Sequence, residues 1–167
     1  MRAAGVSCGA MSPNEVILVM HSLLRWGVLA AGLVALIRAV LGARSKRAWS
    51  ATDTGMLRAF VGLFDVQLLL GLFMYFGTTA LGARMLANLG AAAMKSSVLR
   101  FFAVEHLVGM VTAAIVLHVG TARARRLGDA PARQKRTAIV VGIAFAIIFF
   151  SIPWPFFPYA RPLFRFE

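Results

Sequence analysis

Val98-Leu99-Arg100-Phe101-Phe102-Ala103-Val104-Glu105-His106 opens a long apolar segment and places a carboxylate and an imidazole inside it. The run continues to residue 121, long enough to cross a hydrocarbon core of ~30 Å as a helix. Ionisable groups at that depth are expensive unless they face a protein interior, so Glu105 and His106 mark function by default. The rest of the chain can be read as a set of partners for His106.

Working outward, further apolar segments lie at 14–41, 57–81 and 137–156, each about one membrane crossing long beside the one at 99–121. The expectation is an all-α, integral membrane four-helix bundle with up-down topology, a single domain over 1–167. The 60% apolar content and mean hydropathy of +0.79 exceed what a soluble domain of 167 residues needs. A net charge of +12 would suggest nucleic acid in a soluble chain. Here the basic residues sit mainly between apolar runs, where they act as topology signals, so the expected partner is the lipid bilayer and not nucleic acid. A single cysteine, Cys8, excludes an internal disulfide framework and a cysteine-based metal site within the chain. The first segment is expected to be a retained span, since its length and the lack of a small-residue cleavage site before Arg44-Ser45-Lys46-Arg47 do not suit a signal peptide.

Arg44, Lys46, Arg47 and Arg58 lie between spans one and two, and Arg123, Arg125, Arg126, Arg133, Lys135 and Arg136 between spans three and four, ten basic residues on one side. Arg2, Arg84, Lys95, Arg100, Arg161 and Arg165 make six on the other, so both termini are expected outside, on the periplasmic face of a bacterial inner membrane. In the outer connection, Met85-Leu86-Ala87-Asn88-Leu89 suits either a short interfacial helix or an ordinary loop. Ile152-Pro153-Trp154-Pro155-Phe156-Phe157-Pro158-Tyr159 carries too many prolines for a helix, so helix four should end near Ser151, followed by an extended tail over 152–167. Its aromatics suit the headgroup belt, or packing against another subunit of a larger assembly.

His21 lies seven residues inside span one and His106 seven residues inside span three, about 10 Å below the same boundary. Two neutral imidazoles facing each other across a bundle can hold a b-type haem, one nitrogen to each side of the iron. The His106 face continues through Gly109, Met110 and Ala113 and the His21 face through Arg25, Val28 and Gly32, small residues that either admit a flat macrocycle or let helices pack closely. His118 is twelve residues beyond His106, roughly 120° away around the helix, which places it on another face. Arg25 and Asp65 have matching depths in antiparallel spans, so a buried Arg25–Asp65 ion pair is expected. Glu105 has three candidate partners: Arg25, Arg100 or a histidine ring nitrogen. Arg100 and Lys95, at the boundary, are placed for haem propionates or for interfacial anchoring.

The segments His21-Ser22-Leu23-Leu24-Arg25-Trp26, Gln67-Leu68-Leu69-Leu70-Gly71-Leu72, Ala93-Met94-Lys95-Ser96-Ser97-Val98-Leu99-Arg100-Phe101 with Val104-Glu105-His106, and Ile152-Pro153-Trp154-Pro155-Phe156 resemble a family of small four-helix bacterial membrane proteins, uncharacterised or labelled cytochrome-b-like. The resemblance covers about residues 21–156 and implies haem binding. Such proteins tend to carry a histidine where this chain has Asp65.

The expected function is therefore a cytochrome-b-like electron-transfer protein or redox-complex subunit with one haem b near the outer leaflet, not an enzyme by itself. His21 and His106 would be the axial ligands, with Arg100 and Lys95 at the propionates and Arg25 and Glu105 behind the ligands. The alternatives are a cofactor-free accessory subunit of a larger membrane complex and, with less support, a proton-coupled transporter.

Overall fold

A computed structural model describes residues 12–76, 94–162 and 164. Cys8 and the Met85–Leu89 segment lie outside them. The described residues form four helices: α1 (Pro13–Arg44), α2 (Ala51–Phe76), α3 (Ser97–Arg125, with a π-helical turn at Phe101–Glu105) and α4 (Ala130–Phe150).

Each start has a local cause. Ser12 and Glu15 cap α1 reciprocally, the Ser12 hydroxyl accepting from the Glu15 amide while the Glu15 carboxylate accepts from the Ser12 amide at 2.7 Å, and Pro13 takes the first helical position. Ser50 and Asp53 make the same exchange at α2, at 3.2 and 2.9 Å. Lys46, with φ 51°, turns the chain between α1 and α2. Asp129 caps α4 at 2.7 Å with Pro131 in its first turn. The α4 helix stops at Phe150, before Pro153, and the Trp154 indole N–H returns to the Phe149 carbonyl at 2.8 Å.

Three of the helices, α1, α2 and α3, are long and apolar enough to cross a membrane. The fourth expected span is shorter: Arg133, Lys135 and Arg136 occupy the start of α4, leaving 137–150 as its apolar part, about 21 Å of helix. The outward faces are apolar as well, as Leu33, Ile37 and Leu41 on α1, Val66, Leu69 and Phe73 on α2, and Val108, Val111 and Ile115 on α3 show. A bundle apolar inside and out belongs in lipid, so the chain is read as a membrane protein.

Neighbouring helices run antiparallel. Gly32 and Gly42 of α1 face Phe145 and Gln134 of α4, and Gly120 and Gly109 of α3 face Val140 and Ser151. Gly32 also meets Phe60 of α2, and Phe60, Phe64, Leu117 and Val141 are fully enclosed between the four helices. Thus Gly32, Gly109 and the buried Ala113 serve close helix packing, not a macrocycle. At the loop end of the bundle the Asp53 carboxylate ties α1, α2 and α4 together. It accepts from Arg38 Nε at 3.0 Å, from both terminal nitrogens of Arg47 at 2.8 and 2.9 Å, and from Gln134 Nε2 at 3.2 Å. The hydrogen bonds that Arg47 donates to Asp53 hold its guanidinium above its ordinary pKa.

Candidate functional site

At the other end of the bundle the helices part around a cavity of about 320 Å³, within the size range of small-molecule sites. All four helices and the tail contribute to its wall: His21 and Arg25 from α1, Gln67 and Tyr75 from α2, His106 and Met110 from α3, Ile148 from α4, and Arg161 from the tail. The apolar remainder includes Phe64, Leu68 and Ile152.

His21 and His106, on different helices, thus line one cavity. The His106 Nδ1 is 2.6 Å from the Ser151 carbonyl, which can only accept, so Nδ1 carries the proton and Nε2 keeps a free lone pair. That carbonyl belongs to the first residue past α4, and Gly109 lets it approach: a Cβ there would run into the Ser151 hydroxyl. A histidine ring fixed through one nitrogen to a carbonyl is the usual preparation of a metal ligand. On the opposite side, Gln67 Nε2 donates to the His21 carbonyl at 2.9 Å, fixing the backbone from which the ring projects. Gly71 faces that ring, and a Cβ there would sit 3.2 Å from His21 Cε1. Among the described residues, His21 Nδ1 and Gln67 Oε1 are buried without a hydrogen-bond partner. A buried polar atom left unpaired costs about 1–3 kcal/mol unless something occupies the site.

The π-turn immediately precedes His106, whose amide reaches back to the Phe101 carbonyl. Such turns insert one residue and re-aim the side chains beyond them. The Tyr75 hydroxyl donates to the Ala103 carbonyl in that turn at 2.8 Å, joining α2 to α3.

Other expected site residues stand elsewhere. Arg100 pairs with Glu105 at 2.7 Å, one of the three partners open to Glu105, and both side chains are more than two-fifths exposed. Neither lines the cavity, nor does the exposed Lys95, so the expected propionate contacts and the placement of Glu105 behind a ligand are corrected. The cause is angular, because Glu105 is turned about 100° from His106. The expected Arg25–Asp65 pair is corrected too: the Asp65 carboxylate pairs with His118 Nε2 at 2.8 Å, on the surface between α2 and α3. Phe64 and Gln67 take the inward face of α2 and leave Asp65 turned aside. Arg25 lines the cavity, near the Ser22 hydroxyl at 3.5 Å and 5.5 Å from the Trp26 ring centroid.

The chain matches no protein-family model, no curated protein and no solved structure. The site therefore rests on its own geometry. Ser151 and Arg161 escaped sequence reasoning because one acts through a backbone carbonyl and the other arrives by the fold of the tail. Gln67 and Gly71 were not assigned to the site from the sequence, and the signal that could have found them is their spacing, one turn apart on the face that Phe64 begins.

The tail itself folds back on the bundle. Trp154 is only 9% exposed, Tyr159 stacks on Phe101 with centroids 3.7 Å apart, and the Arg161 amide donates to the Pro153 carbonyl at 3.2 Å. Its inner aromatics therefore pack on the bundle, while Phe156, 73% exposed, remains available to a headgroup belt or a neighbour.

Proposed function

We propose that this protein is a membrane-embedded, cytochrome-b-like electron-transfer protein or redox-complex subunit that binds one haem b through His21 and His106. The observation that carries this reading is that two imidazoles from different helices line one cavity, one with its proton fixed at Nδ1 by Ser151 and the other with a buried Nδ1 that has no partner among the described residues. The group, when bound, supplies one-electron redox chemistry at an iron held by two nitrogens. The chain's residues do the rest: Ser151 orients His106, Gln67 fixes the His21 backbone, and Phe64, Leu68 and Ile152 exclude water. The surroundings proposed are a bacterial inner membrane, with the basic 45–50 and 126–129 connections inside, both termini outside, and other redox subunits as partners.

The test is the reduced-minus-oxidised optical spectrum of protein purified with haem supplied. The expected outcome is a b-type α band that His21→Ala or His106→Ala abolishes. No band in the parent protein would rule out haem binding and leave the cofactor-free accessory subunit.

A further inference from the structure

The outward faces of α1, α2 and α3 are all apolar, so apolar exposure alone marks none of them for a partner. The surface between α2 and α3 differs, because Asp65 and His118 meet on it at 2.8 Å with side chains 37% and 55% exposed. Asp65 is fourteen residues past Ala51 and eleven before Phe76, roughly 21 and 16 Å from the two ends of α2, which puts the pair near mid-membrane. Lipid offers neither group a hydrogen bond, and ionisable side chains at that depth are expensive unless protein covers them.

Among the described residues a single contact joins the pair, Asp65 Oδ1 to His118 Nε2, which leaves each chain one further carboxylate oxygen and one further ring nitrogen, His118 Nδ1. A protonated imidazole donates from both nitrogens. Two copies related by a two-fold axis are therefore complementary in charge: the Nδ1–H of each His118 meets the second carboxylate oxygen of the other copy's Asp65, and two imidazoliums balance two carboxylates. The surroundings suit close approach. A Cβ at Gly62 would meet nothing within 4 Å, and Leu69, Val111 and Ile115 stand exposed beside the pair.

We propose that the α2–α3 face is the interface of a two-fold symmetric homodimer, in which Asp65 and His118 of one protomer meet His118 and Asp65 of its partner within the bilayer. Another covering subunit would need a donor and an acceptor of its own at this depth and spacing, whereas a second copy brings both by symmetry. Neither residue lines the cavity, so the interface is independent of the haem reading.

The full-length protein is labelled at its one cysteine, Cys8, with donor or acceptor dye, and energy transfer is followed as the protein is diluted into lipid vesicles. The parent should associate as a dimer. Asp65→Leu and His118→Leu, each removing both contacts between copies, should raise the dissociation constant about tenfold. Mixing the two variants restores one contact, between His118 of the first and Asp65 of the second, so the mixed pair should associate about threefold more tightly than either variant alone. Should a variant fail to fold, Ile115→Cys in a Cys8→Ser background should still cross-link two otherwise unaltered chains, and Leu33→Cys on the outward face of α1 should not. A parent protein that stays monomeric overturns the proposal and leaves the face to another subunit or a lipid-soluble ligand. Dimers that neither leucine variant weakens, or that cross-link at Leu33→Cys instead of Ile115→Cys, place the interface elsewhere and overturn it as well. Weakening with no gain on mixing would mean that the pair only joins α2 to α3 within one protomer, which also overturns it.

Discussion

Gly42→Ala tests how closely α1 packs on α4 beside the Asp53 cluster. A Cβ at position 42 would lie 2.5 Å from Gln134 Cδ, 2.6 Å from its Nε2 and 2.7 Å from its Oε1, so the whole carboxamide must move. Gln134 is 0% exposed and its Nε2 donates to the buried Asp53, so the movement costs both packing and a hydrogen bond to a charge. Overpacking of a filled core costs about 1–3 kcal/mol and a hydrogen bond to a charged group contributes about 1.5–3 kcal/mol. With partial relaxation, a loss of about 3 kcal/mol is expected, read by reversible unfolding in mixed detergent micelles followed by circular dichroism. Gln134→Ala removes the obstructing atoms and should cost about 2–4 kcal/mol by itself. The double variant should be little worse than Gln134→Ala, a coupling of about 2 kcal/mol. Additive losses, or a Gly42→Ala variant within about 0.5 kcal/mol of the parent, would refute the close packing of α1 on α4 at this point.

Asp53→Asn should destabilise by about 2–3 kcal/mol in the same assay, at the low end for a buried pair because its arginine partners are about one-third exposed. Tyr75→Phe should cost about 1 kcal/mol and speed amide exchange through the Phe101–Glu105 turn, where the hydroxyl holds the Ala103 carbonyl. His118→Ala should leave the optical spectrum of the haem-supplied protein unchanged, since that ring faces Asp65 on the surface; loss of the α band would move the site to the α2–α3 surface.

Much of the architecture is legible in the sequence because apolar length and breaker residues are local properties. Ser12-Pro13-Asn14-Glu15 specifies the start of α1, Asp129 with Pro131 the start of α4, and Pro153 the end of α4 near residue 150. The depth of His21 and His106 follows from counting along two helices, and both rings do line one cavity. Several features needed the tertiary structure. The π-turn at Phe101–Glu105 has no composition of its own. The Ser151 carbonyl carries no side-chain signal, and Arg161 reaches the cavity through stacking of Tyr159 on Phe101.

Asp65 shows why depth alone misleads. Counting residues puts Asp65 level with Arg25, but a helix turns about 100° per residue, so rotation decides what a side chain meets. On α2 the inward face runs through Phe60, Phe64, Gln67 and Gly71, at spacings of three and four, and Asp65 stands one step of rotation away, against His118. Asp65 therefore stands outside the cavity that His21 and His106 line. The same rotation leaves Glu105 on Arg100 at the surface, so neither of these two acids lines the cavity beside His21 and His106.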